Sequence, residues 1–247
     1  YQRTYGKETM RRAARLIVST ETYAATSRVV WRFSPEVIPN PVDFQRFRPD
    51  IDGSSVRARL NLRPDDSVVL LVARIVPHKG IEHLVEAAKH VPGAMFVVVG
   101  DGPFLPDVRR LAAEFGVEDR VHFVGKVPHR DLPAYYAACD VFVLPSVSRL
   151  EAFGIVALEA MATAKPVVVS DIPGVREVVA DGVEGLLAEP VNPENLAAKL
   201  RSLLQDPGLR VQMGARGREK VERKFGIKQV ADAVERVYRA VVQDEAS

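Results

Sequence analysis

The stretch VVLLVARIVPHKGIEHLVEAAKHVPGAMFVVVG (residues 68–100) places two valine-rich runs on either side of one amphipathic segment. Both runs are continuously apolar, as expected for strands that are buried on both faces of a sheet. A strand, a helix and a second strand joined by short loops predict a right-handed crossover between parallel strands. This unit therefore predicts a parallel sheet covered by helices.

The same alternation continues to residue 188. Four more apolar runs follow: VHFVG (121–125), DVFVLP (140–145), PVVVS (166–170) and EGLLA (184–188). Amphipathic segments separate the strands: LPDVRRLAAEFG (105–116), DLPAYYAAC (131–139), FGIVALEAMATA (153–164) and GVREVVAD (174–181). We predict an α/β domain with a doubly wound parallel sheet, and such domains bind ligands beyond the carboxyl ends of their strands.

The two ends of the chain do not continue this pattern. Residues 1–40 suggest a helix from Lys7 to Ala14, a strand, a short helix and another strand, which we expect to belong to a second, partial domain. A proline-restricted linker at 41–53 leads to the main domain, 54–225, and 226–247 predicts a final helix. Because the chain opens with Tyr1, we expect a processed or incomplete sequence.

Composition narrows the class of protein. Lys and Arg number 34 against 32 Asp and Glu, so the net charge of +2 argues against a nucleic-acid partner. No apolar run reaches the roughly 18 residues of a membrane-spanning helix, and the first residues lack a signal-peptide core. A single cysteine, Cys139, excludes an internal disulfide and suggests a reducing, cytoplasmic location.

The segment EAFGIVALE, Glu151 to Glu159, directly follows the strand DVFVLPS. Phe153 and Gly154 should open a helix whose first amides are unpaired, which makes an anion site suited to a diphosphate. With Glu151 in the loop and Glu159 on the helix, both carboxylates can converge on the hydroxyls of one sugar-bearing ligand. The alternative is an ordinary helix with an acidic first turn and one solvated glutamate.

The segment ARIVPHKG (73–80) follows the strand before it in the same way. Arg74 ends the strand and Lys79 precedes a helix, so a guanidinium fork and an ammonium lie near a helix start. Two such cations suit a phosphate-bearing ligand. Two solvated surface cations are the alternative when this segment is taken alone.

Two further loops are weaker candidates. In VVVGDGPF (97–104), Gly100 and Gly102 predict a tight turn, with Pro103 starting the next helix; the dinucleotide fingerprint fails because Leu105 stands at its third glycine position. In HFVGKVP (122–128), backbone after the strand could meet a planar base. We predict no metal site, because no zinc-binding spacing occurs among His78, His83, His90, His122 and His129.

Five segments of the chain together resemble the retaining glycosyltransferases called group 1 or family 4. They are IPNPVDFQRFRP, ARIVPHKG, VVVGDGP, VHFVGKVP and EAFGIVALEAMATAKPVVVSDIPGVREVV. That family has the GT-B fold, in which two Rossmann-like domains face across a cleft. The resemblance implies that 54–225 is the C-terminal, donor-binding domain and 1–40 the end of the N-terminal, acceptor domain. The helix at 226–247 would cross back to the acceptor domain.

The resemblance also implies roles for single residues. Arg74 and Lys79 would bind the donor diphosphate, and Glu151 would lie near the donor sugar; these three are the catalytic candidates. The remaining candidates for donor and nucleotide binding are Gly102, Val124, Gly125, Lys126, Phe153, Gly154, Ile155 and Glu159. Glu159 would hold the ribose hydroxyls, and Val124–Lys126 would lie by the base. Two departures from the family pattern are Pro41 and Ala73, where glycine is commoner.

The implied activity is transfer of a sugar from a UDP-, GDP- or ADP-sugar to an acceptor hydroxyl with retention, with no cofactor besides this donor. We expect the isolated chain to be inactive without the rest of the acceptor domain. The acceptor, a glycan, a lipid or a small molecule, stays open. Peripheral membrane contact through that domain and self-association also stay open. Competing hypotheses are a nucleotide-sugar epimerase of the same fold and a non-catalytic nucleotide-binding or partner module.

Overall fold

A computed structural model describes residues 8–245 of the chain. Its strands are β1 (Ile17–Val18), β2 (Glu36–Val37), β3 (Ser67–Val72), β4 (Ala94–Val99), β5 (Val121–Gly125), β6 (Val141–Leu144), β7 (Val167–Ser170) and β8 (Gly185–Ala188). The last six form one parallel sheet in the order β5-β4-β3-β6-β7-β8. The predicted doubly wound sheet is therefore confirmed.

Helices alternate with these strands as the amphipathic pattern predicts. They are α1 (Glu21–Thr26), α2 (Ser54–Arg59), α3 (Ile81–Ala87), α4 (Leu105–Glu114), α5 (Leu132–Ala138), α6 (Ile155–Ala162), α7 (Val175–Val178), α8 (Pro193–Gln205), α9 (Pro207–Lys224) and α10 (Ile227–Glu245). Residues 8–12 are also helical. Lys7, where the first predicted helix begins, lies outside the described residues.

The sheet is buried on both faces, which explains why its strands lack polar alternation. Along β3, Val68 and Leu70 join the core on one face, whereas Val69 and Leu71 join the core on the other. Burying one such side chain contributes about 1.5–3 kcal/mol, so two apolar layers can hold this sheet together. Each layer is completed by helices, and the carboxyl ends of the strands remain free to carry loops.

The start of α9 follows local side-chain chemistry. Asp206 accepts a hydrogen bond from the amide of Leu209 at 2.8 Å and begins α9, while Pro207 occupies the first helical position. One boundary differs from the prediction: Pro103 lies in a turn, and α4 begins at Leu105 with Phe104 at its N-cap. The turn that contains Pro103 is tied to the loop after β3, because the Phe104 amide donates a hydrogen bond to the Ile75 carbonyl at 3.2 Å.

The N-terminal segment forms a separate two-stranded parallel pair, β1 with β2. The carboxylate of Glu177 on α7 accepts hydrogen bonds from the amides of Glu21 and Thr22 at 2.8 and 2.7 Å, which ties the start of α1 to the main domain. Helix α10 packs Val230 and Val237 against Ile38 just after β2. The last helix therefore contacts the N-terminal segment.

A search of residues 8–245 for a helix that is both long and apolar enough to cross a bilayer finds none.

Candidate functional site

The loops that follow β3 and β6 meet at the centre of the sheet. These strands are neighbours, but the chain moves to β4 on one side after β3 and to β7 on the other side after β6. The Val147 amide donates to the His78 carbonyl at 3.0 Å, and a Cβ on Gly80 would lie 2.1 Å from the Pro145 carbonyl oxygen. A crevice at such a reversal of strand order is the usual ligand position in this class of fold.

A cavity of about 490 Å³ opens at this end of the sheet. Its apolar wall includes Leu132 and Val156, and its charged groups are Arg74, Lys126 and Asp101. Two cations against one carboxylate favour an anionic ligand, and the volume matches that of ordinary small-molecule sites. The cavity therefore combines an apolar surface with excess positive charge.

Arg74 is exposed at the end of β3 and lines this cavity. Within residues 8–245 its guanidinium makes no hydrogen bond or ion pair, although its backbone carbonyl accepts from Val76. A guanidinium offers five donors in a fixed fork that fits phosphate oxygens. Arg74 is thus available to a ligand, as its sequence position suggests.

Lys79 and Glu151 form an ion pair with each other across the junction of the two loops. The Ser146 hydroxyl donates to the same Glu151 carboxylate at 3.1 Å, and both Ser146 and Glu151 are buried. An ammonium has three donors, so this pair leaves Lys79 two more for a ligand. Glu151 orients Lys79 in this arrangement, which the sequence did not predict.

Glu159 lies one helical turn after Val156 on α6 and is 6% exposed. The Tyr136 hydroxyl donates to its Oε2 at 2.6 Å, and His129 Nε2 lies 3.4 Å from Oε1. Burial raises the pKa of Glu159 above its ordinary value, while these two contacts and the charge of Arg46 lower it in part. The carboxyl is therefore a fixed, tightly held acceptor rather than a solvated one.

The start of α6 presents backbone amides toward the same end of the sheet. Gly154 occupies the N-cap with φ +83°, a left-handed conformation that favours glycine. In the described part of the chain no side chain caps this helix end. Phe153 is buried before it, and Ile155 is an exposed first helical residue. The free amides and helix dipole form an end to which an anion is attracted.

The remaining sequence candidates have different positions. Lys126 lines the cavity. Val124 and Gly125 are the last residues of β5 rather than loop residues. Gly102 serves the fold: a Cβ there would lie 2.1 Å from the Ile75 carbonyl oxygen, so glycine allows the loops after β3 and β4 to touch. Of the sequence candidates, Arg74 and Lys126 line the cavity itself, whereas Gly102 serves loop packing.

Sequence reasoning missed three contributors. Tyr136 is fully buried and would be taken for a core residue, yet its hydroxyl holds Glu159. His129 and Ser146 lie in loops after β5 and β6 and contact the two glutamates. The sequence signal for these two residues was their position just after a strand. That position does not predict which carboxylate each side chain contacts.

Among residues 8–245, no group of three or more His, Cys, Asp or Glu side chains could hold a metal ion. Cys139 is buried, and burial raises the pKa of its thiol to about 12. A thiol held protonated is a poor nucleophile, so the candidate chemistry rests on the groups described above.

Comparisons with known proteins give a family match and a set of relatives. The family model described as "Glycosyl transferases group 1" matches residues 54–220. The chain is 39% identical over 207 residues to a GDP-mannose-dependent alpha-(1-6)-phosphatidylinositol monomannoside mannosyltransferase from Mycobacterium tuberculosis, covering 78% of this chain and 54% of that protein. The chain spans about half the length of the curated relatives it matches.

Solved structures share the fold. Sucrose-phosphate synthase from Thermosynechococcus elongatus superposes with a TM-score of 0.87 at 33% identity, over 97% of this chain and 61% of that one. HepE from Anabaena, in complex with UDP and glucose, superposes with a TM-score of 0.87 at 25% identity, over 96% of this chain and 66% of that one.

Proposed function

The chain belongs to the group 1 glycosyltransferases, and from that premise we propose that it holds the nucleotide-sugar donor in a retaining transfer of a sugar to an acceptor hydroxyl. The observation that carries the proposal is the meeting of two loops at the reversal of strand order. Arg74 and Lys79 follow β3 there, and the free end of α6 follows β6. Arg74 lines the cavity, as does Val156 near the start of α6, and Lys79 lies farther along the segment that Arg74 begins.

The diphosphate of the donor would occupy this positive end. Arg74 would bind it with the guanidinium fork, and Lys79 would add a point charge while Glu151 keeps its ammonium in place. The amides at Gly154 and Ile155 would complete the set of donors. Both cations and the helix end lie on segments that follow buried strands, and the ion pair with Glu151 holds Lys79 in place there.

The nucleoside would extend from the diphosphate toward β5. Val156 on the cavity wall is followed one turn later by Glu159, whose carboxylate is the acceptor for ribose hydroxyls. Lys126 and Val127 line the adjoining part of the cavity, where the base would lie. The first glutamate, Glu151, stays near the sugar end beside Lys79.

Catalysis in this proposal rests on stabilising the leaving group. Negative charge grows on the diphosphate as the bond to the anomeric carbon breaks, and donors already aimed at that charge lower the barrier. Loss of one such donor typically costs about 2–4 kcal/mol of transition-state stabilisation. The chain would therefore bind the diphosphate more tightly as negative charge develops on it.

The identity of the donor is proposed only as a class. HepE is described in complex with UDP and glucose, and the mycobacterial relative is described as dependent on GDP-mannose. We propose a UDP-, GDP- or ADP-sugar as donor for this chain. Because the chain spans about half of its curated relatives, we also propose that it binds donor without turning it over.

Calorimetric titration with UDP, GDP and ADP tests the proposal. We expect at least one nucleotide to bind, and we expect no sugar release or transfer when the matching nucleotide sugar is incubated with the chain. Failure of all three to bind would favour a partner module without a donor site. Robust transfer by the 247 residues would contradict the proposed inactivity and leave the donor site intact.

A further inference from the structure

A second cavity of about 500 Å³ lies apart from the one described above, where the linker meets α2 and the start of α5. Three arginines line it: Arg46 from the linker, Arg59 from α2 and Arg130 from the loop after β5. Asp131 is the one acidic group in its lining. The cavity therefore carries an excess of two positive charges, and its size is that of an ordinary small-molecule site.

Of the three guanidiniums, Arg130 alone has a carboxylate within ion-pair distance in the described part of the chain. Arg46 is half-buried, and within the described residues its side chain makes no hydrogen bond or ion pair; it only stacks near the Phe47 ring at 5.8 Å. Arg59 hydrogen-bonds the hydroxyl of Tyr135, a neutral phenol whose pKa burial raises above its ordinary value of 10. Arg130 lies 3.7 Å from Asp131 with 83% of its side chain exposed, a contact that contributes little.

Two other arginines nearby have side chains that are occupied by hydrogen bonds and ion pairs within the fold. Arg57, on the same helix as Arg59, pairs with Asp140 at 3.2 Å and donates to several carbonyls, including that of Ala138 at 3.0 Å. Arg218 on α9 is engaged in the same way. The three arginines around the cavity make fewer contacts with the fold than these two, which leaves donors of each guanidinium available to a ligand.

The backbone that carries the linker arginine is held in place before any ligand arrives. Arg218 donates to the carbonyls of Phe44 and Phe47 at 2.9 and 2.8 Å, which fixes the linker backbone on either side of Arg46. The Phe47 ring is buried edge-on against Tyr136 at 5.6 Å. A linker whose backbone is already ordered loses less entropy when one of its side chains binds an anion.

We propose that this cavity binds a small phosphate-bearing molecule at a site separate from the donor site. Arg46, Arg59 and Arg130 would clamp the phosphate, since guanidinium forks match its oxygens. Val56 and Pro133 on the cavity wall would receive the apolar part of the ligand.

Such a ligand would join the linker to the main domain. It would bridge Arg46 on the linker to Arg59 and Arg130, which belong to α2 and to the loop before α5. Arg46 also acts on Glu159, because its charge helps to lower the pKa of that carboxyl. The two sites thus share one cation, although each has its own cavity.

Amide NMR of the whole chain titrated with inorganic phosphate, and separately with glycerol 3-phosphate, separates the two sites. We expect saturable shifts at Arg46, Asp131 and Ala134 with at least one of the two probes. Arg46→Gln and Arg59→Gln should each weaken that binding by at least about tenfold, because each removes a charge-assisted contact. Arg48→Gln is the matched control, since Arg48 is exposed on the same linker and pairs with Asp50 at 3.2 Å; it should leave the affinity unchanged.

Two results would overturn the proposal. Shifts confined to Arg74 and its neighbours would mean that both probes bind only at the donor site. Unchanged affinity in both arginine variants, with each variant folded by its amide spectrum, would remove the clamp. Neither result contradicts the donor proposal, because the residues of the donor site have amide resonances of their own.

Discussion

Replacing Arg74 by alanine is expected to weaken the binding of a nucleoside diphosphate by about ten- to hundredfold, the equivalent of losing hydrogen bonds to a charged group. Arg74 lines the donor cavity, and its guanidinium makes no hydrogen bond within the described structure. The variant therefore removes contacts with the ligand and no hydrogen bond that holds the fold. Calorimetry on the chain, with whichever of UDP, GDP and ADP binds, measures the loss.

The phosphate dependence of this loss is the sharper readout. The corresponding nucleoside, which has no phosphate, should bind the wild type and Arg74→Ala equally. Arg110→Ala is the matched control, because Arg110 lies on the surface of α4 and pairs with Asp107 at 3.2 Å. A loss that is equal for nucleoside and nucleotide would show that Arg74 does not meet the diphosphate.

Replacing Glu159 by glutamine is expected to weaken the binding of a ribonucleotide by about tenfold or more, since the carboxylate is the acceptor proposed for the ribose hydroxyls. The 2′,3′-dideoxy nucleotide provides the comparison, because it lacks those hydroxyls and should bind both proteins alike. In the wild type, affinity should fall as the pH drops through the pKa of Glu159, which burial holds above its ordinary 4.5. That step should be absent in the variant.

The same substitution should raise thermal stability at neutral pH. A carboxyl with a raised folded-state pKa holds its proton more tightly in the folded chain, so the stability it gives is complete below pH 4.5 and is lost as the pH rises through the raised value. At pH 7 the ionised Glu159 therefore lowers the free energy of unfolding, and glutamine removes this destabilisation. A melting temperature that is lower in Glu159→Gln at pH 7 would contradict this account of the buried carboxyl.

The sheet could be predicted because its signal is local. Valine runs such as 68–72 and 94–99 are long and uninterrupted, and Asp206 with Pro207 marks a helix start by its own chemistry. The position of the site just beyond the strands also follows, since parallel strands place their carboxyl ends together. Fold class and approximate site location are thus properties of short segments.

The partners within the site could not be predicted, because they depend on strand order. Lys79 and Glu151 are 72 residues apart, and they meet only because β6 lies beside β3. Tyr136 and Glu159 are 23 residues apart, and the hydroxyl of Tyr136 is hidden in an apolar helix face. Periodicity predicts which residues are buried, but it does not tell which polar atom of one helix faces another.

The central claim is that the cavity beside Arg74 holds a nucleotide between cations and a buried carboxylate. A crystal structure of the chain with the nucleotide that binds most tightly tests it directly. We predict phosphate oxygens within about 3 Å of the Arg74 guanidinium and ribose hydroxyls at the same distance from the Glu159 carboxylate. A nucleotide bound elsewhere, or bound with its ribose turned away from Glu159, would contradict the claim.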